Sequence, residues 1–550
     1  MSDRVGGEFV LNNNRTVTEV LDETFREYAD NAAFTCLGHT LSYAELDRLS
    51  AQFAHFLQNC TDLKPGDRIA LQMPNILQYP VALYGALRAG LVIVNTNPLY
   101  TAREIKHQLN DSGAKALVVL ANIADTAAKV IADTPVKEVI VTEIADLHPP
   151  LKRVLINTAV KYLKKMVPSF SYPNQITWRT AMRLGASGQF QAVARAPEDI
   201  LALQYTGGTT GVAKGAMLTH RNLVSNMEQV LLHVEETLNK GADVFVAPLP
   251  LYHIYAFNLH CVGLASVGCH SILIPNPRDI PSVVKALRGH RITGFVGLNT
   301  LFNALVRDPG FRDLDFSALR ITSSGGMALT EDAASKWKEV TGIEPSEGYG
   351  LTETSPTVSS NPPGAIQRGT VGTPLPETEL KIIDEQGRTL PAGEAGELCV
   401  RGPQVMKGYW QRPEATAEIL DGEGWLKTGD MAVLQEDGYL RIVDRKKDMI
   451  IVSGFNVYPN EIEDVVCQHP AVLEAAAIGV ADEKSGEAVK LFVVVSDSAV
   501  TAETIRDYCR ENLTAYKVPR FIEFSDDLPK SNVGKILRRE LKEKETSAAA

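Results

Sequence analysis

The sequence predicts an α/β fold: a large N-terminal domain of layered α/β subdomains and a β-rich subdomain, followed by a small α+β C-terminal domain. Short apolar stretches rich in β-branched residues alternate with amphipathic ones through most of the chain. Short strands separated by turn residues begin near Gly372, and the pattern changes again at 444–448. Because 550 residues exceed one ordinary hydrophobic core, we expect two domains, at residues 1–446 and 447–550.

The first half of the chain carries the alternation most clearly. Ala116–Ala121 and Lys137–Glu143 are short, apolar and β-branched, which is typical of strands. Ala44–Gln58 has the spacing of an amphipathic helix. Alternation of this kind predicts sheets with largely parallel strands, covered by helices.

The C-terminal part has the pattern of a compact α+β unit. The expected strands are Ile450–Val452, Val472–Val480 and Val489–Val495, and the expected helices are Asn460–Cys467 and Ala502–Glu511. Pro459 suits a first helical position, where its missing N–H has no intrahelical partner. Glu461 and Glu463 would then lie at the positive end of the helix dipole.

Composition excludes several classes of protein. The net charge of -11 argues against a nucleic-acid partner, because phosphate backbones need a cationic surface. The seven cysteines are odd in number and form no CxxC pair, which predicts reduced thiols rather than disulfides or a zinc site. The start has no basic segment before an apolar run, and polar residues interrupt the apolar stretch 256–275. We therefore expect a cytoplasmic protein without a membrane span.

A glycine-rich loop follows an apolar strand in LALQYTGGTTGVAKG, Leu201–Gly215. Its candidate phosphate-binding residues are Thr206, Gly207, Gly208, Thr209, Thr210, Gly211 and Lys214. Glycines let backbone N–H groups approach an anion, while hydroxyls add donors and a lysine adds charge. The spacing differs from that of a Walker loop. A phosphate-binding loop is the prediction, and a plain glycine-rich hairpin turn is the alternative.

The wider segment YTGGTTGVAKGAMLTHRN resembles the signature loop of the adenylate-forming enzymes, the superfamily of acyl-CoA synthetases, firefly luciferase and peptide-synthetase adenylation domains. It is most similar to bacterial long-chain fatty acyl-CoA synthetases. The resemblance runs from about Leu41 to Arg539, with several motifs in the family's order. It implies ATP and Mg²⁺ as cofactors, CoA as co-substrate, a long-chain fatty acid as substrate and a small C-terminal domain that moves.

Two further segments, SSGGMAL and EGYGLTETSP, match the family's nucleotide pocket. The implied nucleotide contacts are Gly325, Gly326, Gly348, Tyr349 and Thr352. Tyr349 would stack on the adenine, as an aromatic ring can, and Thr352 would hold an α-phosphate oxygen. Glu353 would coordinate Mg²⁺ with Thr206 as a second contact, because a nucleotide-bound magnesium ion takes only one or two protein oxygens. Helix capping is the alternative role for Glu353.

The ribose contacts follow from two later motifs. Asp430 ends GWLKTGD and matches the family's carboxylate that accepts both ribose hydroxyls. Arg445, in VDRKKDMI, matches an arginine that also reaches the ribose. A solvated run of positive charge is the alternative account of Arg445 and the two lysines after it.

The resemblance assigns three roles in the C-terminal part. Lys447 lies at the hinge position, where a change of backbone dihedrals rotates the small domain. Gly454 lies where the family forms its pantetheine tunnel. Lys535 matches the catalytic lysine, a fixed cation that lowers the repulsion between the attacking carboxylate and the α-phosphate. Lys530 is nearby but misplaced in the motif. A merely basic C-terminal helix is the alternative, and it leaves Gly534 unexplained.

The acyl side is defined less sharply. The resemblance places His253, in APLPLYHIYAF, near the substrate carboxylate, whereas a lone histidine beside aromatic residues is often a core residue. Phe295–Leu305 is a candidate wall of an acyl tunnel, and core packing is an equally good account of it.

The implied activity has two half-reactions, with Lys535, Glu353 and His253 as catalytic residues. The first gives acyl-AMP and pyrophosphate, and the second transfers the acyl group to CoA. A CoA ligase for aromatic or medium-chain acids shares the nucleotide motifs and is the main alternative. A fatty acyl-AMP ligase would carry an insertion after the hinge, which 444–463 lacks. A non-catalytic nucleotide- or lipid-binding protein would be expected to have lost Lys535 or Glu353.

One amphipathic segment, Leu151–Val167, predicts contact with a membrane surface. Wound as a helix, it gathers its apolar residues on one broad face and Arg153, Lys161, Lys164 and Lys165 on the other, with no acidic residue. This pattern is typical of an interfacial helix on anionic lipid, here the inner face of the cytoplasmic membrane. The alternative is a surface helix whose apolar face packs on its own domain.

Overall fold

The structure is a computed structural model that describes residues 3–5, 8–12, 14–206, 213–482, 485–497, 499–531 and 535–549. Within these ranges the larger sheets have seven, nine, four and five strands. Helices cover the two largest sheets, which confirms the predicted α/β class.

The strands carry the labels β1 to β27 in chain order. They are β1 Asp3–Val5, β2 Glu8–Val10, β3 Ala32–Cys36, β4 His39–Ser42, β5 Arg68–Gln72, β6 Val92–Asn95, β7 Ala114–Leu120, β8 Glu138–Thr142, β9 Gln175–Thr177, β10 Ile200–Thr206, β11 Lys214–Thr219, β12 Val244–Ala247, β13 His270–Leu273, β14 Gly294–Gly297, β15 Ile321–Gly325, β16 Ser346–Gly350, β17 Thr357–Ser360, β18 Thr373–Pro374, β19 Glu379–Ile383, β20 Ala395–Arg401, β21 Leu426–Leu434, β22 Leu440–Arg445, β23 Ile450–Val452, β24 Phe455–Val457, β25 Val472–Asp482, β26 Gly486–Val495 and β27 Phe521–Phe524.

The α-helices are labelled in the same way. They are α1 Val17–Glu27, α2 Tyr43–Asn59, α3 Gln78–Arg88, α4 Ala102–Ser112, α5 Ala124–Ala128, α6 Pro150–Thr158, α7 Trp178–Gly185, α8 His220–His233, α9 Ile254–Asn258, α10 Leu264–Ser266, α11 Ile280–Leu287, α12 Asn299–Arg307, α13 Pro309–Arg312, α14 Glu331–Thr341, α15 Pro413–Ile419, α16 Pro459–Cys467, α17 Ala502–Asn512 and α18 Arg538–Ala549. Single π-turns continue two of them, at Ala159–Leu163 and Leu259–Gly263. Short 3₁₀ turns lie at Ala121–Ile123, Ile131–Asp133, Thr352–Thr354 and Ala515–Lys517.

Two mainly parallel sheets form the body of the chain. Their strand orders are β11-β10-β6-β5-β7-β8-β9 and β18-β17-β16-β15-β14-β12-β13-β3-β4. The strands predicted at 116–121 and 137–143 are β7 and β8, which run parallel to each other. Antiparallel pairs lie only toward the sheet edges, as where β10 meets β11. The expectation of largely parallel sheets is therefore confirmed.

One buried cluster of apolar side chains joins both sheets. Every residue of α3 is buried, and its tyrosines reach the second sheet's connections: the Tyr79 hydroxyl donates to the Leu251 carbonyl and the Tyr84 hydroxyl to that of Cys261. The predicted helix 44–58 is α2, which begins after a capping box of Ser42 and Glu45. This shared core fixes the strand ends on which the site is built.

The β-rich region after Gly372 is an antiparallel sheet with the order β19-β20-β21-β22. In register, Asp430 on β21 lies opposite Arg445 on β22. The last sheet, β24-β23-β26-β25 with β27 beside β26, has its own apolar core with α16 and α17. Pro459 takes the first turn of α16 as predicted, and β25 runs on to Asp482, beyond the expected end.

The segment 151–167 departs from the single helix that the periodicity predicts. The α-helix ends at Thr158, a π-turn follows, and Lys165 has φ +52°, so the last turn breaks before Val167. No residue of α6 or of the π-turn is buried, and Leu151 and Leu163 are 75% and 80% exposed. Much of the apolar face is therefore exposed, whereas Ile156, Ala159, Val160 and Val167 are partly buried and Val167 packs against the core.

Candidate active site

A single large cleft, of about 2540 Å³, contains most of the predicted site. It is bounded by the carboxyl ends of β15 and β16, by the antiparallel sheet and by the C-terminal part. The predicted site residues that line it are Thr206, Lys214, His253, Gly325, Gly326, Gly348, Tyr349, Thr352, Glu353, Asp430, Arg445, Lys447 and Lys535. The carboxyl ends of parallel strands are the usual place for ligand binding in α/β sheets.

Two glycines that line the cleft are paired with each other on adjacent strands. Gly325 at the end of β15 pairs in register with Gly348 on β16. A Cβ on Gly325 would lie 3.2 Å from the Tyr255 ring, and Gly326 has φ +89°, which disfavours any other residue. The Tyr255 hydroxyl lies 2.8 Å from that of Ser323. Because these glycines carry no side chain, a flat ligand can approach their backbone closely.

A carboxylate and two partners form one wall. The Tyr349 hydroxyl donates to Asp430 Oδ2 at 2.5 Å, and Arg445 Nε lies 3.7 Å from Asp430 Oδ1. Burial and the charge of Asp430 raise the pKa of Tyr349 far above its usual value, so its hydroxyl stays a donor. Asp430 is thereby held with one oxygen toward Tyr349 and the other toward Arg445.

Glu353 lies on the 3₁₀ turn after β16 and is held twice by one segment. Its carbonyl accepts from the Met406 N–H at 2.8 Å, and its Oε1 accepts from the Tyr409 hydroxyl at 2.6 Å. The Lys214 ammonium lies 5.2 Å from the centre of the Tyr409 ring. Thr206 and Lys214 face each other in register where β10 ends and β11 begins. The glycines and threonines at 207–211 lie outside the described residues.

Lys535 reaches the cleft from the C-terminal part. Its N–H donates to Ser531 Oγ at 3.1 Å, and its carbonyl accepts from the Ser531 N–H at 2.7 Å, so two hydrogen bonds hold it to Ser531. Burial, followed by the positive charge of Arg445, lowers the pKa of Lys535 to about 8, while Asp430 acts in the opposite direction. Because burial disfavours the charged form of Lys535, that form is stabilised most when an anion binds beside it.

His253 lies at the start of α9 and lines the cleft. It caps α9, where its Nδ1 accepts from the Tyr255 N–H at 3.4 Å, and its ring also lines the cleft. Burial and the nearby Lys535 lower the pKa of His253 to about 4, so the imidazole is neutral near pH 7. Its role beside a substrate would be that of a hydrogen-bonding group rather than a charge.

The two remaining predicted residues differ in position. Lys447 lines the cleft directly after β22, and burial lowers its pKa. Gly454 does not line the cleft: it lies in the turn between β23 and β24, with φ +84° and no atom within 4 Å of a Cβ built there. In this arrangement, Lys535 lines the same cleft as Tyr349, Asp430 and Arg445, whereas Gly454 does not.

Comparison with known proteins decides the family. The profile described as "AMP-binding enzyme" matches residues 21–410, and that of the "AMP-binding enzyme C-terminal domain" matches 461–535. The chain belongs to the AMP-binding enzyme family. A "Long-chain-fatty-acid--CoA ligase" of Escherichia coli is 52% identical over 96% of this chain and 94% of its own, and one of Haemophilus influenzae is 49% identical over 98% and 97%.

Solved structures agree on the fold of this AMP-binding enzyme. A crystal structure of an anthranilate CoA ligase in complex with anthranoyl-AMP matches with a TM-score of 0.86 and 26% identity, covering 98% of this chain and 99% of that one. A benzoate CoA ligase from Burkholderia xenovorans matches with a TM-score of 0.81 and 28% identity, covering 96% and 99%. The resemblance to bacterial fatty acyl-CoA synthetases that the motifs indicated is confirmed.

A second part of the cleft lining, here called the apolar arm, includes side chains of α8 and β15. Its apolar lining comes from Met227, Val230, Leu231, Val234, Leu238, Leu259, Leu264 and Ile321. Of the predicted wall 295–305, alternate residues do different work: Val296, Leu298 and Ala304 line the cleft, whereas Phe295 and Leu305 are buried in the core. The segment therefore contributes both to the lining of the cleft and to the core.

The sequence analysis missed two residues of this AMP-binding enzyme. Tyr409 contacts Glu353, and Arg538 pairs with Glu463 at 2.6 Å and with Asp444 at 3.4 Å. In the sequence, Arg538 is one of several positively charged residues near the C-terminus, and nothing distinguishes it from the others. Tyr409 was followed by an aromatic residue in KGYW, and that pair was the available signal.

Proposed function

We propose that this AMP-binding enzyme is an AMP-forming ligase that joins long-chain fatty acids to CoA. The identity of about half its residues to long-chain-fatty-acid–CoA ligases over nearly the whole chain carries the proposal. The cleft supports it, because the apolar arm and the polar wall of Tyr349, Asp430 and Arg445 line the same cleft as Lys535.

In the first half-reaction, a fatty-acid carboxylate oxygen attacks the α-phosphorus of ATP. The bond from that phosphorus to the bridging oxygen breaks, and pyrophosphate leaves. Lys535 would offset the repulsion between the two anions, while Asp430 and Arg445 would hold the ribose and Tyr349 the adenine. Neutral His253 would donate a hydrogen bond near the carboxylate without adding charge. Fixed donors of this kind stabilise charge where it develops.

Magnesium fits the donor set as an ion carried by the nucleotide. Among the described residues, no group of three or more His, Cys, Asp or Glu side chains could hold a metal alone. Glu353 still has one oxygen that Tyr409 does not occupy, and Thr206 offers a hydroxyl at the end of β10. One or two protein oxygens suffice for nucleotide-bound Mg²⁺, which supplies charge neutralisation on the phosphates.

In the second half-reaction, the CoA thiol sulfur attacks the acyl carbon, and AMP leaves. We propose that residues 447–550 rotate about Lys447 between the two steps, so that Lys535 withdraws and the turn at Gly454 takes its place. The separation of Gly454 from the cleft in this structure supports a rotation, since the resemblance assigns that glycine to the pantetheine path.

A CoA ligase for aromatic acids is the competing assignment. A "Feruloyl-CoA synthase" of Amycolatopsis is 35% identical over 92% of this chain, clearly less than the fatty-acid ligases. The deciding experiment is a competition between palmitate and a coumarate with ATP and CoA, followed by mass spectrometry of the thioesters. Palmitoyl-CoA should dominate, and a coumaroyl-CoA product in excess would reject the fatty-acid assignment.

We also propose that the exposed apolar face at 151–166 contacts anionic membrane lipid. Its exposed apolar side chains are Leu151, Val154, Leu155, Tyr162, Leu163 and Met166. Lys161, Lys164 and Lys165 lie in the same segment, on a chain whose net charge is -11. Basic residues near anionic headgroups contribute about 1 kcal/mol each. None of the described helices is long and apolar enough to cross a bilayer, so the contact would be peripheral.

Flotation with vesicles tests this contact. Wild type should float with phosphatidylglycerol vesicles, and a variant with Lys161, Lys164 and Lys165 changed to glutamate should not. The control changes Lys106 and Lys129, exposed lysines outside this segment, to glutamate and should float like wild type. Equal flotation of wild type and the triple variant, or flotation of neither, would reject the membrane proposal and leave the ligase assignment intact.

A further inference from the structure

The segment Met406–Trp410 lies beside β11 and pairs with it through one isolated β-bridge, which the sequence did not predict. The Lys407 N–H donates to the Met217 carbonyl at 3.0 Å, and the Trp410 N–H donates to the Gly215 carbonyl at 2.8 Å. Ala216 and Tyr409 face each other in this antiparallel pairing. The strand that leaves the glycine-rich loop is therefore hydrogen-bonded along one edge to a segment almost two hundred residues later in the chain.

The same segment holds Glu353 at both its backbone and its side chain. The Met406 N–H fixes the Glu353 carbonyl, and the Tyr409 hydroxyl donates to Oε1 at 2.6 Å. Tyr409 is only 8% exposed, and its N–H donates to Thr416 Oγ1 at 2.9 Å. Because the Tyr409 hydroxyl is fixed and bonds one oxygen of the Glu353 carboxylate, the carboxylate can adopt few orientations. The position of its second oxygen then follows from the planar geometry of the group.

The ring of Tyr409 has a second neighbour from the loop side. The Lys214 ammonium lies 5.2 Å from the ring centre, within the range of a cation–π contact. Tyr409 therefore contacts Lys214, a predicted phosphate-binding residue, through its ring and Glu353, the proposed metal ligand, through its hydroxyl. Burial and the Glu353 charge raise the pKa of Tyr409, which keeps the hydroxyl protonated as a donor.

We propose that Tyr409 is a positioning residue that orients the Glu353 carboxylate toward nucleotide-bound Mg²⁺ and ties it to the strand leaving the glycine-rich loop. The inference rests on the proposed function, since it requires that the cleft bind MgATP. It assigns to the KGYW segment a task in metal-dependent nucleotide binding. Tyr409 acts through Glu353 and does not itself touch the reacting atoms.

The test measures ATP binding without turnover. Isothermal titration calorimetry of the full chain, without fatty acid, gives the Kd of ATP in excess Mg²⁺ and in EDTA. For Tyr409→Phe, the tightening of ATP binding by Mg²⁺ should fall about tenfold, the range for one hydrogen bond to a charged group. The Kd in EDTA should not change, because the ring and its contact with Lys214 remain.

Two further variants separate positioning from general structure. Tyr205→Phe is the matched control: it also removes a buried hydroxyl beside the loop, one bonded to Asp111, and should keep the full Mg²⁺ effect. In the Glu353→Gln background, Tyr409→Phe should cause no further loss, because its effect passes through that carboxylate.

The outcomes distinguish the two proposals. A wild-type Mg²⁺ effect in Tyr409→Phe, an equal loss of affinity in EDTA, or a full additional loss in the Glu353→Gln background would each overturn the positioning role alone. Failure of the wild type to bind ATP under either condition would overturn the proposed function, and the inference with it.

Discussion

Replacing Lys535 by alanine should abolish adenylation and largely spare thioester formation. In the structure, burial and Arg445 lower the pKa of Lys535 from 10.5 to about 8, which corresponds to about 3 kcal/mol against the charged ammonium. An anionic substrate recovers part of this penalty, so the lysine is set to respond to the meeting of carboxylate and phosphate. Loss of such a group typically lowers the rate by about 10²–10³.

The lowered pKa also predicts a pH profile. Lys535 must be charged to act, and the free enzyme loses that charge as pH rises through about 8. Since kcat/KM reports ionisations of the free enzyme, kcat/KM for ATP in adenylation should decline above that pH. ATP phosphates favour the ammonium, so the decline in kcat should come at higher pH. Lys535→Arg should move the decline in kcat/KM upward, because a guanidinium stays charged.

Pyrophosphate–ATP exchange measures the first half-reaction, and CoA-dependent consumption of supplied acyl-AMP measures the second. Lys530→Ala is the matched control, because Lys530 lies on the same loop but pairs with Glu474 and Asp527. It should leave both half-reactions near wild type. If Lys535→Ala slowed both half-reactions equally, or if the kcat/KM profile of wild type stayed flat to high pH, the role given to Lys535 would be wrong.

Three other changes test separate parts of the account. Lys447→Pro fixes φ at the hinge, so acyl-AMP should accumulate while CoA-thioester output falls; unchanged turnover would contradict the hinge. Val230→Trp narrows the arm of the cleft beside α8 and should raise the ratio of kcat/KM for octanoate to that for palmitate; an unchanged ratio would place the acyl chain elsewhere. Asp430→Asn removes a charged acceptor from Tyr349 and Arg445 and should weaken ATP binding by about tenfold. Calorimetry measures the Kd of ATP, and a Kd equal to that of wild type would contradict this role.

Local patterns predicted much of the fold. β-branched stretches predicted β7 and β8, and Pro459 predicted the start of α16, because these signals depend on neighbours in sequence. The segment 151–167 was mispredicted at its end, since the periodicity of side chains does not reveal the π-turn that interrupts the helix. Its exposure was not predictable either, because burial depends on what the rest of the chain places beside it.

The site also combines features that local sequence patterns predicted with features that depend on the folded chain. Glycine-rich motifs located Gly325 and Gly348, but their pairing depends on the order of β15 and β16. The contact of Tyr409 with Glu353 spans 56 positions in sequence, and the residues next to each of them in sequence do not predict it. The lowered pKa of Lys535 likewise arises from burial in the assembled cleft. Such long-range properties need the folded chain.

The most direct test of the central claim is a product assay with ATP, CoA and a series of straight-chain acids, together with a coumarate. The account predicts acyl-CoA, AMP and pyrophosphate in equal amounts, with kcat/KM highest for a long-chain acid such as palmitate. Formation of ADP and phosphate, or a higher kcat/KM for the coumarate than for every fatty acid, would contradict it.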